Sequence, residues 1–195
     1  MPGLTEARKE PAEESTGAPR VEEGRLRWVE VATGWGRFAL GWTRRGIAWL
    51  GLPGRAGGEA ELPPGDWLRR LFRPGEAEGA GTTLAEAAAA QLQEYFSGRR
   101  QRFDLPLDLR GTPFQLQVWQ ELLRLPFGET VTYAQLAARV GRPRAARAVG
   151  GAMAANPVPL LVPCHRVVAE AGLGGYGGGL ELKRRLLRLE RGEAV

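Results

Sequence analysis

Three prolines constrain this chain more than any other feature. In "NPVPLLVPCHRVV", residues 156–168, Pro157, Pro159 and Pro163 exclude a helix from the middle of a half that otherwise reads as helical. The interruption ends on Cys164 and His165, the only cysteine and the only histidine among 195 residues. Leu160, Leu161 and Val162 read as a short buried strand that delivers Cys164 to a defined place. A lone cysteine in a soluble protein is most often an inert buried residue. A histidine beside it changes the expectation, because an imidazole can take the thiol proton directly or through one water, and a carboxylate can orient the imidazole. Adjacent side chains diverge, which favours the water.

Helical punctuation flanks this segment on both sides. In "TPFQLQVWQELLRLP" Thr112 is the expected N-cap, Pro113 the first helical residue and Gln115 the capping-box partner. Apolar positions 114, 118, 119, 122 and 123 keep helical spacing, and Pro126 ends the helix. In "TYAQLAARVG" Thr132, Gln135 and Gly141 repeat the pattern, and a further helix is expected to restart at Pro143. Two short helices joined by a tight turn make a helix-turn-helix candidate. In the second, Ala145, Ala148, Val149, Ala152 and Met153 are expected to pack inward. The opposite face holds Arg147, Gly151 and Ala154, with Gly150 beside it. Such a bare face allows close approach to a backbone, and it fits the minor groove of DNA with little base-specific hydrogen bonding.

The glycine run "GLGGYGGGL" contains G-x-G-x-x-G at Gly172, Gly174 and Gly177, but too little chain follows for a dinucleotide-binding unit. It reads as a mobile or close-approach loop. The helix "LELKRRLLRLE" is expected to bury Leu182, Leu186 and Leu189 and to present Lys183, Arg184, Arg185 and Arg188, with Glu190 solvated at its end.

The first half reads differently. "RLRWVEV", "GRFALGW" and "GIAWLGL" form an expected three-stranded meander. "DWLRRLF" reads as a short helix. "TTLAEAAAAQLQEYFSG" is a longer one, with Thr83 as N-cap, Glu86 completing a capping box and Gly98 as the stop. "FDLPLDLRG" is an extended connection. The expected organisation is a flexible acidic tail over 1–24, an α/β domain with a small antiparallel sheet over 25–108, and a mostly α domain with the helix-turn-helix over 109–195.

Charge follows the same division. The net charge is +5, yet residues 1–24 hold six glutamates against three basic residues, leaving +8 for the remainder. A basic body implies a polyanionic partner. Arginine-rich codon usage would produce the same excess, so charge alone leaves nucleic acid open. One cysteine and one histidine are too few for a zinc site, so neither metal nor cofactor is expected. No apolar run is long enough to span a bilayer and no secretory leader is visible, which gives a cytoplasmic protein without membrane contact.

Together, "TYAQLA", "ARAVGGAM", "NPVPLLVPCHRVV" and "YGGGLELKRRLLRLE" resemble the O6-alkylguanine-DNA alkyltransferase family over roughly residues 103–195. The resemblance implies a ribonuclease-H-like N-terminal domain and repair of DNA by transfer of an alkyl group to Cys164. His165 and Glu190 would activate the thiol through water, and Asn156 would brace the turn around it. Tyr133 would donate a proton to N3 of the leaving guanine and help rotate the nucleotide. Arg147 would fill the gap left by the flipped base. Tyr176, Gly177 and Gly178 would close over that base, and the carbonyls of Cys164 and Val167 would accept from its amine. Gly151 and Ala154 would face the DNA. The implied partner is double-stranded DNA, bound through the minor groove by a monomer and largely independently of sequence. Three rivals remain at this point: a non-catalytic lesion binder, a sequence-specific helix-turn-helix regulator, and a cysteine hydrolase with repeated turnover.

Overall fold

The computed structural model describes residues 27–53 and 82–194. The expected acidic tail and the "DWLRRLF" helix lie outside them. The meander forms as β1 (Arg27–Thr33), β2 (Gly36–Thr43) and β3 (Gly46–Gly51), antiparallel in that order. Two-residue turns set its register, Thr33 opposite Gly36 and Thr43 opposite Gly46. Phe38, Leu40, Trp42, Ile47 and Leu50 are all buried.

Helix α1 (Thr82–Phe96) packs on β1. It starts at Thr82, so Thr83 lies inside the first turn and is not the N-cap expected. Ala85, Ala88, Ala89, Leu92 and Tyr95 form its buried stripe. The i, i+3, i+4 spacing accounts for that stripe, and the small residues let the helix sit close to the sheet.

The connection over 103–111 is extended, as expected, and is held to the sheet. Ile47 donates to the Pro106 carbonyl at 2.8 Å and its own carbonyl accepts from Asp108 N at 2.8 Å. The buried Asp108 carboxylate accepts from Thr43 Oγ1 at 2.8 Å and from Arg110 at 2.7 Å. Burial alone would raise the Asp108 pKa, but those hydrogen bonds and the guanidinium charge lower it.

Beyond the connection come α2 (Pro113–Leu122), β4 (Val131–Thr132), α3 (Tyr133–Arg139), α4 (Ala146–Ala154), a 3-10 turn (Cys164–Arg166), β5 (Val167–Val168) and α5 (Gly179–Glu190). Both capping boxes form as read: Thr112 with Gln115, and Thr132 with Gln135. Helix α4 begins at Ala146, not at Pro143; residues 143–145 are spent in a turn closed by Ala145 N on the Arg142 carbonyl at 2.8 Å.

Leu160, Leu161 and Val162 are buried but form no strand. They make a tight turn in which Leu160 has φ +75°, bracketed by a Pro159–Val162 bridge. The three prolines leave too few backbone donors for a strand. One contiguous apolar cluster runs from Phe38 and Leu92 through Trp119 and Leu122 to Leu136, Val149 and Leu186, so both halves support the proline segment. Leu50 N also donates to the Pro157 carbonyl at 2.8 Å.

Candidate active site

The 3-10 turn places Cys164, His165 and Arg166 in the interior, each less than a tenth exposed. Asn156 controls the approach to it. Its Nδ2 donates to the Val162 carbonyl at 2.9 Å and to Cys164 Sγ at 3.1 Å, and its Oδ1 accepts from Val158 N at 3.1 Å. One side chain thus ties the turn together and solvates the sulfur. Burial pushes the Cys164 thiol up to about 11, against the Asn156 hydrogen bond and the charge of Lys183, which favour the thiolate. The resting group is a neutral thiol.

His165 is completely buried and reaches Glu190 of α5. Its Nε2 lies 2.8 Å from Glu190 Oε1. Because the carboxylate accepts, Nε2 carries the hydrogen and Nδ1 presents a lone pair. Nδ1 is buried and has no partner among the described residues. Burial lowers the His165 pKa even though Glu190 pulls it upward, so the imidazole is neutral at rest.

Glu190, expected solvated on the helix pattern alone and a relay partner of His165 by the family resemblance, is 5% exposed and stands at the centre of a saturated network. Oε1 accepts from His165, from Tyr95 Oη at 2.6 Å and from Arg166 Nη2 at 2.9 Å. Oε2 accepts from Arg166 Nε at 2.9 Å and from Gly128 N at 3.1 Å. Burial would raise its pKa, but the His165 and Arg166 hydrogen bonds and the guanidinium charge drive it far below the carboxylate range. Arg166, which also donates to the Leu125 carbonyl at 2.6 Å, balances the carboxylate charge. Gly128 sits at φ +81°, and a Cβ there would fall 2.9 Å from the Glu190 carbonyl oxygen, so only glycine lets this backbone reach the carboxylate.

Lys183 corrects a second expectation. It was read as presented to solvent but is fully buried, donating to the carbonyls of Val167 at 2.5 Å and Gly175 at 3.1 Å. Burial lowers its pKa to about 8. The helix buries Leu186, Leu187 and Glu190, while Leu182 and Leu189 are half-buried. Lys183 ties the glycine run to β5 and occupies one lone pair of the Val167 carbonyl.

The remaining candidates surround this core. β4 pairs with β5 in parallel, Val131 opposite Val167, which sets Tyr133 beside the glycine run. Tyr133 is half-buried between Gly150 of α4 and Gly174, where a Cβ would meet its ring at 2.9 Å. The φ of +68° at Gly174 independently requires glycine. Tyr176 has a buried hydroxyl with no hydrogen-bond partner among the described residues and a ring 6.4 Å from that of His165. Gly177 is open on its Cα side, whereas Gly178 is packed against Leu182 and Leu52.

On α4, Arg147, Gly151 and Ala154 are exposed as read. Ala148, expected inside, joins them; Val149 and Ala152 carry the burial, with Ala145 and Met153 partly covered. The inward stripe is narrower than the five positions read: Ala145 lies before the helix, which begins at Ala146, and Trp119 Nε1–H donates to the Ala152 carbonyl at 2.9 Å.

Sequence reasoning missed Arg166, Lys183, Gly128 and Tyr95. The two cations look like ordinary surface charges, and Tyr95 lies 70 residues from His165. Among the described residues no three histidine, cysteine, aspartate or glutamate side chains gather as a metal site would require, and no helix is long and apolar enough to cross a membrane.

A buried thiol one residue from a buried histidine, with a ring nitrogen unpartnered among the described residues, marks a candidate cysteine-centred site in a protein of mixed α/β architecture. Comparison with known proteins narrows the class. Residues 113–192 match the family described as 6-O-methylguanine DNA methyltransferase, DNA binding domain. A constitutive methylated-DNA–protein-cysteine methyltransferase of Bacillus subtilis is 54% identical over 128 residues, 65% of this chain and 78% of that protein. The Mycobacterium bovis protein of the same name is 53% identical over 108 residues, 55% of this chain and 66% of its own length. The crystal structure of Mycobacterium tuberculosis O6-methylguanine methyltransferase superposes with a TM-score of 0.66 at 38% identity, covering 85% of this chain and 93% of that one. A structure of the same organism's protein in complex with DNA gives 0.65 at 36%, covering 85% and 92%. The chain belongs to the methylated-DNA–protein-cysteine methyltransferase family.

Proposed function

We propose that this chain repairs DNA by moving an alkyl group from O6 of guanine to Cys164, irreversibly and once per molecule. The observation that carries the reading is the unpartnered Nδ1 of His165 in a buried relay anchored by Glu190, one residue from the only thiol. A water between Sγ and Nδ1 passes the thiol proton to the imidazole, and Glu190 stabilises the imidazolium. The thiolate attacks the alkyl carbon. A C–S bond forms, the C–O6 bond breaks, and the electron pair leaves on the guanine, which takes a proton at N3 from Tyr133. The product is a thioether that water does not cleave.

A guanine inside a duplex is out of reach, so the nucleotide is flipped into the site. In this reading α3 and α4 act as a helix-turn-helix on the minor groove, Arg147 fills the vacated stack, and Gly151 and Ala154 let the backbone approach. Tyr176, Gly177 and Gly178 cover the base, and the carbonyls of Cys164 and Val167 accept from its amine. We assign 25–108 to an N-terminal domain of ribonuclease-H-like type and 109–195 to the DNA-binding and acceptor domain, working as a cytoplasmic monomer. An unpaired reactive thiol suits a reducing compartment.

The test is stoichiometric. With excess O6-methylguanine duplex, repair stops at about one equivalent per protein and only the Cys164 peptide gains a methylene. Turnover beyond one equivalent would replace this reading with the hydrolase.

A further inference from the structure

Helix α1 contributes a polar group to a site otherwise built by the C-terminal half. Tyr95 is 1% exposed. Its ring is held by Phe96, Phe103 and Phe127 at centroid distances of 5.4, 5.2 and 6.1 Å. Its hydroxyl donates to Glu190 Oε1 at 2.6 Å and stands 3.4 Å from His165 Nε2. Three donors therefore converge on one carboxylate oxygen: Tyr95, His165 and Arg166.

We propose that Tyr95 is a positioning residue of the acceptor site, whose phenol fixes Glu190 and limits how strongly that carboxylate draws a proton onto His165. A carboxylate stabilised by more donors is a weaker base and a weaker partner for an imidazolium. Removing the phenol leaves Oε1 to His165 and Arg166 alone, and each remaining bond strengthens. Tyr95 thus restrains the relay at its Glu190 end. The other groups facing His165 are Glu190 and Lys183 from α5, Arg166 and Cys164 from its own turn, and Tyr176 from the glycine run; of these only Glu190 loses a hydrogen bond when the Tyr95 hydroxyl goes.

This inference rests on the reading of Cys164 and His165 as acceptor and base, yet its test needs no alkyl donor. The chain has one histidine, so imidazole NMR reports a single group. Tyr95→Phe keeps the ring and removes the hydroxyl. Its His165 midpoint rises by about half to one pH unit. Phe103→Leu loosens the same packing and leaves that midpoint in place. A ring-fluorinated tyrosine at position 95, a stronger donor, shifts the His165 midpoint downward. An unmoved midpoint in Tyr95→Phe, an equal shift in Phe103→Leu, or an upward shift with the fluorinated residue each overturns the proposal. If that variant does not fold, the fluorinated protein decides alone. Wild-type protein that fails to accept an alkyl group while these titrations behave as described removes the proposed function and leaves Tyr95's control of the relay standing.

Discussion

The interior around Glu190 and the outer face of α4 are built on opposite principles. At Glu190 both carboxylate oxygens are saturated, by His165, Tyr95, Arg166 and Gly128, in a buried site where each donor has its place. On α4 the exposed face offers Arg147, Ala148, Gly151 and Ala154, and a Cβ added at Gly151 would meet nothing within 4 Å. Under the proposed function, chemistry at one atom demands fixed geometry, whereas a lesion that occurs in any sequence demands a surface with little base-specific contact. Substitutions inside should therefore be costly and those outside graded, and four experiments probe that contrast.

The largest effect belongs to Cys164→Ser. A serine hydroxyl is far less ionised than a thiol, so alkyl transfer ends while duplex binding persists, read by single-turnover repair and by band shift. Residual transfer at near wild-type rate would remove Cys164 from the chemistry.

Glu190→Gln comes next. It leaves the Arg166 guanidinium buried without its counter-charge and costs about 3–5 kcal/mol in urea unfolding. It also identifies the acid limb of stability. The folded pKa of Glu190 is depressed, so its contribution is present above the unfolded carboxylate value of about 4.3 and is lost as pH falls below it. The wild type should lose stability through that range, and the glutamine variant should show a flatter limb. Equal limbs would place the acid sensitivity elsewhere.

Arg147→Ala moves the test to the outer face. Repair in duplex DNA falls by roughly tenfold or more, while reaction with free O6-benzylguanine is unchanged, since a free base leaves no stack to fill. Equal losses on both substrates would make Arg147 structural and erase the contrast between interior and surface.

Gly151→Lys is the mildest. It adds one cation on an open face, so binding to undamaged duplex tightens and its logarithmic salt dependence steepens by about 0.9. No change in slope would turn this face away from the phosphates.

The same contrast explains what could be read in advance. The capping boxes at Thr112 and Thr132 and the turns of the meander depend on residues two to four apart, so they were legible. Cys164, His165 and Glu190 were named because of a familiar motif, and the structure brings His165 and Glu190 into contact. Lys183 and Arg166 were misread or missed because a buried cation is recognised by its acceptors, the carbonyls of Val167, Gly175 and Leu125, which are remote or carry no sequence signature. Leu160 to Val162 were correctly placed inside but given the wrong backbone: hydrophobicity reports burial, while proline spacing and a positive φ at Leu160 decide between turn and strand.

Glu190 lies in the last turn of α5 and binds partners 62 and 95 residues upstream, at Gly128 and Tyr95. Contacts that distant close large loops and form late on a folding pathway, after local helices are in place. The relay that serves Cys164 is therefore expected to close after the local helices have formed. During refolding, helical circular dichroism should recover before the capacity to accept an alkyl group, and a chain interrupted within its final helix would carry the cysteine without its reactivity.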